Sequence, residues 1–190
     1  MLFSVADYKT RFGITGTAQD ERIYAMSVAV TAAANRFCGR ILEYDGTETT
    51  EYHDGDETAF LALRRPPIIS VTSVHQDSSR AWDSTSLLTE GTDYAVLTST
   101  GILEFLDGTW GCARRSIRVI YRGGYASVPP DLAEAAMVWG FHLDTHKAGV
   151  TSETIGAYSA TYEQASSGAV PREVKQMLGG FIRPSAGRRM

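Results

Sequence analysis

Cysteine is almost missing: Cys38 and Cys112 are the only two in 190 residues. They are too few for a disulfide scaffold and too far apart for a CxxC redox or zinc motif, so both read as ordinary reduced thiols. No run approaches the roughly 18 to 20 uninterrupted apolar residues that span a bilayer. Asp7 appears before any cationic, apolar signal-peptide pattern can form. A soluble protein made in the cytoplasm, with no membrane partner, is the expectation. Positive charge is also short, with 18 Lys and Arg against 22 Asp and Glu and a net charge of −4. That balance excludes a body whose main work is neutralising phosphates over its whole surface. There is no internal repeat and no long low-complexity segment. What is present, 43% hydrophobic residues, suffices for one sizeable core without disulfides or metal.

The charge is unevenly spread. From Pro171 onward Arg172, Lys175, Arg183, Arg188 and Arg189 face a single acid, Glu173, so the tail carries +4 and residues 1–170 carry −8. An acidic body with a basic C-terminal tail is a pattern common to interaction arms.

Helical periodicity opens the chain. Tyr8 and Phe12 at i, i+4, with Gly13 behind them, predict a short helix over Val5 to Phe12. Between Thr17 and Arg40 a longer one is predicted. Thr17 and Asp20 have capping-box-like spacing, Ile23, Met26, Val30, Ala33 and Phe37 form one stripe, and Gly39 is the stop. The small side chains of Ala25, Ala29, Ala32, Ala33 and Ala34 would let another helix or subunit approach closely.

The pattern then changes to short strands. Thr47 to Tyr52, Ala59 to Leu63, Ile68 to His75, Tyr94 to Leu97, Ile102 to Phe105 and Ile117 to Tyr121 are β-rich, with turn signals between them. Their close spacing implies antiparallel or mixed pairing. The Ser, Asp and Thr-rich stretch from Asp77 to Ser86 reads as an exposed loop around Trp82. After Val128-Pro129-Pro130 a helix is predicted again, with Leu132, Ala135, Ala136, Trp139, Leu143 and His146 on one face. Thr151 to Gly168 reads as neither a strong helix nor a core strand, and Val170 to Phe181 as a last short helix. The order is α, then β, then α.

Candidate chemistry is sparse. His142 and His146 lie four apart on a predicted helix, the spacing of helical zinc ligands. Leu143 stands where a catalytic Glu would follow, and His146 continues an apolar stripe, so a packed histidine is the simpler account. His53, Asp54, Asp56 and Glu57 lack the register of a calcium loop and read as a solvated hairpin tip. No GxSxG elbow and no GxxxxGK[ST] loop occurs. Enzymatic function has almost no support, and neither a metal nor a cofactor is expected. The pairs Arg64-Arg65 and Arg114-Arg115 read as solvated loop charges or subunit contacts rather than nucleic-acid contacts.

The order of segments carries a resemblance. A small-residue-rich helix precedes LRRPPIISVTSV (Leu63 to Val74), DYAV, GILEF and Trp110. Then come IRVIYRGGYASVPPDLAEAAMVWG (Ile117 to Gly140) and SETIGAYSATYE (Ser152 to Glu163). This resembles the head-to-tail connector, or adaptor, family of tailed bacteriophages, over roughly residues 3–182. The resemblance implies an α+β, mainly helical fold: a small helix bundle with an inserted antiparallel β region at about 47–121 and an extended C-terminal arm. It divides the chain into a connector core, 1–168, and a C-terminal helix with its basic arm, 169–190. It implies a virion protein at the head–tail junction, in a closed ring of about a dozen copies under the portal. DNA would pass through the channel without sequence-specific binding. The partners implied are the portal protein, a stopper or tail-completion protein, and further copies of the chain. Portal contacts would fall on Arg172, Lys175, Phe181, Arg183, Arg188 and Arg189, and subunit contacts on Glu153, Ile155, Gly156, Tyr158 and Tyr162. The alternatives are another neck protein, which the long flanking helices oppose, and a metal-dependent hydrolase using His142 and His146. The longer Asp77 to Glu90 loop departs from the family pattern.

Overall fold

In a computed structural model, which describes residues 1–145, 152–155, 158–161 and 170–182, the chain divides into a helical unit, Met1–Gly39 with Val128–Ile182, and a β unit, Arg40–Ser127.

The helical unit starts with α1 (Val5–Phe12). Ser4 Oγ accepts from Asp7 N at 3.1 Å while the Asp7 carboxylate accepts from Ser4 N at 3.1 Å, a complete capping box. Helix α2 (Asp20–Cys38) ends at Gly39, whose φ of 67° is the left-handed geometry that glycine adopts without penalty. The expected Thr17 cap is not formed: Gln19 holds the N-cap position without a side-chain bond, and Thr17 contributes only its carbonyl to Asp20 N at 3.1 Å. The buried face of α2 is also turned from the expected stripe. It runs through Ile23, Ser27, Val30, Thr31, Ala34 and Cys38. Two of these are polar because they bind the N-terminal segment: Ser27 Oγ donates to the Phe3 carbonyl at 2.8 Å, and Thr31 Oγ1 accepts from Leu2 N at 3.0 Å. Helix α3 (Pro130–Thr145) buries Leu132, Ala135, Ala136 and Trp139 as its periodicity predicts, but Leu143 is exposed. Helix α4 (Arg172–Leu178) buries Val174 and Leu178. No helix among the described residues is long and apolar enough to cross a membrane.

The β unit holds β1 (Thr49–His53), β2 (Phe60–Ala62), β3 (Ile68–Gln76), β4 (Leu87–Leu88), β5 (Tyr94–Leu97), β6 (Ile102–Phe105) and β7 (Ile117–Gly123). They form two antiparallel sheets, in the orders β1-β7-β3-β4 and β2-β6-β5. Side chains alternate across each strand, and the inward ones of both sheets close on one cluster. That cluster joins Leu61, Tyr94 and Leu103 to Val74, Val119 and Tyr121, with Trp110 fully buried among them. The Trp110 indole Nε1 donates to the Ala59 carbonyl at 3.1 Å, and Phe105 meets its ring edge-on at 5.0 Å. A further hairpin, β8 (Ser152–Ile155) with β9 (Tyr158–Thr161), completes the described strands.

The expectation of a mainly helical fold is therefore overturned. Among the described residues there are four α-helices and nine strands, a mixed α+β fold. The physical reason is that the β region has a core of its own, formed by two facing sheets, rather than being an appendage on a bundle.

Candidate assembly surfaces

Glu51 is the most deeply placed acid of the β unit, at 5% exposure. Burial pushes its carboxyl up, but hydrogen bonds from His53 and Tyr121, then the His53 charge and the Arg64 backbone, outweigh this and hold it below the ordinary value. His53 Nε2 lies 2.8 Å from Oε2, Arg64 N donates at 3.2 Å to Oε1, and the Tyr121 hydroxyl donates to the same Oε1. Tyr121 Oη in turn accepts from Arg65 N at 3.1 Å. Burial, followed by the bond to Glu51, drives the Tyr121 phenol far above its usual value. These donors occupy the carboxylate and tie the link between β2 and β3 to the sheet. The arrangement is an anchor for that link.

That anchor separates the Arg64-Arg65 pair. Arg64 keeps an exposed side chain, but Arg65 is buried, with Nη1 on Thr49 Oγ1 at 2.5 Å and Nη2 on Asp45 Oδ2 at 3.2 Å. Hydrogen bonds from the Thr47 side chain and backbone, with help from Arg65, hold Asp45 at about 2. The reading of Arg65 as a solvated or contact charge is thus corrected: its guanidinium is consumed inside the unit.

The other pair belongs to a cationic, aromatic cluster. Tyr52, Arg118 and His75 stand in register across β1, β7 and β3. Over them folds the Asp77 to Ser86 loop. It is organised by the Asp77 carboxylate, which accepts from Ser79 N, Ala81 N and Trp82 N at 2.7, 2.7 and 3.0 Å. The Ser79 hydroxyl and those backbone bonds hold the carboxyl of Asp77 far below its usual range. The Trp82 ring lies 5.8 Å from Tyr52, with the Arg118 guanidinium over it at 5.1 Å. Arg115 stacks over Tyr52 at 5.0 Å, and Arg80 donates to the Arg114 carbonyl at 3.0 Å. Burial and Arg118 together depress the basicity of His75, which bonds Ser86 Oγ at 3.1 Å.

Backbone conformation marks the same place. Among the described residues four non-glycines have positive φ: Glu57, Arg80, Trp82 and Arg115, at 58°, 63°, 56° and 50°. Each costs on the order of 1 kcal/mol or more, and three of the four belong to this cluster. Arg118 Nε is buried without a hydrogen-bond partner. Sequence reading found Trp82 and Arg114-Arg115 separately. It missed their meeting because nothing local links a loop to a strand end some thirty-four residues away.

The residues expected to contact other proteins are distributed unevenly. Arg172 and Lys175 are exposed on α4, but Phe181 is only 8% exposed, buried on the same segment as Val174 and Leu178. Arg183, Arg188 and Arg189 lie outside the described residues. Glu153 and Ile155 of β8 pair in register with Ala160 and Tyr158 of β9, while Gly156 and Tyr162 lie outside the described residues. His142 bonds Glu173, joining α3 to α4; His146 lies outside the described residues. No group of three or more His, Cys, Asp or Glu that could hold a metal occurs among the described residues. At the acidic turn, Asp54 accepts from Arg115 N at 2.7 Å and Asp56 from Thr58 Oγ1 at 2.7 Å, so these carboxylates serve the backbone and its neighbours.

Comparison with known proteins adds three findings. A family model described as head completion protein matches residues 1–183. Comparison with curated proteins finds no match. Among solved structures, the chain is similar to a chain in the virion of a native gene transfer agent particle, at 16% identity and a TM-score of 0.63, covering 98% of this chain and 93% of that one. It is equally similar to chains in two necks of such particles. The empty particle's neck, computed with C6 symmetry, gives 16% identity, a TM-score of 0.61 and coverage of 98% and 93%. The native particle's neck, computed with C12 symmetry, gives 15%, 0.61, and 97% and 91%. At such identities the likeness is one of fold.

Proposed function

The chain belongs to the head completion protein family, and from that premise we propose that it is a ring-forming subunit of the neck that joins a DNA-filled head to its tail. The family is one of structural virion components, not of enzymes. The observation that carries the reading is the family match over residues 1–183. A fold shared over nearly the whole chain with proteins of C6 and C12 neck assemblies supports it.

In this reading about a dozen copies close into a ring around the DNA channel, with the portal on one side and a stopper or tail-completion protein on the other. An acidic body suits a conduit, since bound phosphates would retard passage. Arg172 and Lys175 on α4, continued by Arg183, Arg188 and Arg189, form the portal-directed side, where complementary charge sets register. Phe181 serves this arm as its buried anchor. The hairpin with Glu153, Ile155 and Tyr158, and the neighbouring Gly156 and Tyr162, lies between subunits.

The test is reconstitution. DNA-filled heads lacking the protein are mixed with tails, with and without the purified chain, and joined particles are counted by electron microscopy. Joining only when the chain is added is the expected result; joining without it, or a chain that never sediments with heads, overturns the reading.

A further inference from the structure

The β unit carries two different unpartnered surfaces. The first is the cationic cluster on the outer face of the β1-β7-β3-β4 sheet. Among the described residues Arg80, Arg114, Arg115 and Arg118 form no ion pair. The nearby carboxylates of Asp54, Asp77 and Asp83 are engaged by backbone N–H groups instead. The guanidiniums of Arg115 and Arg118 are held over Tyr52 and Trp82, and that of Arg80 is tied to the Arg114 carbonyl.

The second surface is the outer face of the β2-β6-β5 sheet. Register places Phe60, Glu104 and Ala95 in one cross-strand row and Ala62, Ile102 and Leu97 in the next. Their neighbours in sequence, Leu61, Leu103 and Val96, point into the core. Phe60, Leu97 and Leu106 remain 55%, 43% and 48% exposed, three large apolar side chains left open around Glu104. Glu104 stands in the first of these rows and exposed Asp107 follows the end of β6, and among the described residues neither carboxylate forms an ion pair.

Both sheets enclose one core, so these two outer faces point in opposite directions. Closed rings are built from heterologous contacts, which need two unlike, complementary patches on each copy. We infer that the occupant of each face is a second copy of this chain: the arginine cluster of one β unit receives Glu104, Asp107 and the apolar sheet face of the next. This rests on the ring reading and assigns to it a specific interface. A polyanion such as DNA could meet the guanidiniums through its phosphates but has no counterpart for the apolar and acidic face, so it is tested as the competing occupant.

Charge reversal of the full-length chain tests it by sedimentation velocity over a concentration series. The wild type self-associates. Arg114→Glu with Arg115→Glu in one variant, and Glu104→Arg with Asp107→Arg in another, each weaken association at least about tenfold while leaving circular dichroism unchanged. An equimolar mixture of the two restores it, because every contact then pairs opposite charges. A wild type that stays monomeric throughout, variants that associate like the wild type, or a mixture that fails to recover overturns the interface. So does an arginine variant that loses affinity for a DNA duplex but keeps self-association. Reconstitution of head–tail joining is scored separately: joining by a chain whose mixture fails to recover rejects this interface and leaves the neck function standing.

Discussion

The Tyr121 hydroxyl donates to Glu51 across neighbouring strands, joining two residues seventy positions apart in the interior of the β unit. The two lie on β7 and β1, one diagonal step from direct register, since Glu51 is opposite Val119 and Tyr121 opposite Thr49. The same oxygen accepts from Arg65 N, so one hydroxyl satisfies a buried carboxylate and a buried amide at once.

Tyr121→Phe removes both bonds while preserving the ring. The buried Arg65 amide loses its acceptor and Glu51 loses a donor, for a cost of about 1–3 kcal/mol. Denaturant unfolding followed by tryptophan fluorescence gives the number; a variant as stable as wild type contradicts the assignment.

Glu51 also sets an acid limit. Its carboxyl is lowered in the folded state, so the unfolded chain takes up protons first as the pH falls. The resulting stability is fully present above the ordinary value of 4.5 and is lost as the pH falls through the lower, folded value. Glu51→Gln is expected to be less stable near neutrality and to show a shallower loss of denaturant midpoint below that point.

Gly55 has no room for a side chain. A Cβ there would stand 1.1 Å from the Gly111 carbonyl oxygen, and relieving that overlap requires backbone movement in both segments. Gly55→Ala is expected to cost at least about 2 kcal/mol, measured as a fall in thermal midpoint.

Thr31→Val keeps the shape of the α2 face but deprives Leu2 N of its acceptor. The loss is about 1 kcal/mol or more for a buried amide. Hydrogen exchange at Leu2 should accelerate more than at the interior of α2.

Deletion after Ile182 and deletion after Val170 should behave differently. The longer deletion removes Val174, Leu178 and Phe181, all buried, and is expected to lower the melting temperature of the helical unit. The shorter one removes three arginines, Arg183, Arg188 and Arg189, and is expected to preserve the melting temperature while weakening binding to purified portal. Unchanged portal binding rejects the arm.

Much of the chain was legible locally. Val5–Phe12 with its Gly13 stop, the strand at Tyr94–Leu97 and the helix after Pro129 follow from caps, alternation and proline chemistry that act within a few residues. The α2 face was misread because Ser27 and Thr31 look like solvent positions until the Leu2 and Phe3 backbone arrives to bond them. The balance of helix and strand was misjudged for a related reason: short strands declare themselves one by one, while the core they share appears only when two sheets face each other.

Most element positions, though not β4 or the β8–β9 hairpin, and the acidic body with its basic tail are properties of composition and short-range periodicity, and the amino-acid order suffices for them. Tertiary structure alone decides which arginine is buried and which is presented. Arg65 is consumed by Asp45 and Thr49, its neighbour Arg64 stays exposed, and Arg115 is carried onto Tyr52 from sixty-odd residues away. The reason is that a charge's role depends on the groups that reach it through space, and an antiparallel sheet brings together residues that the linear pattern keeps far apart.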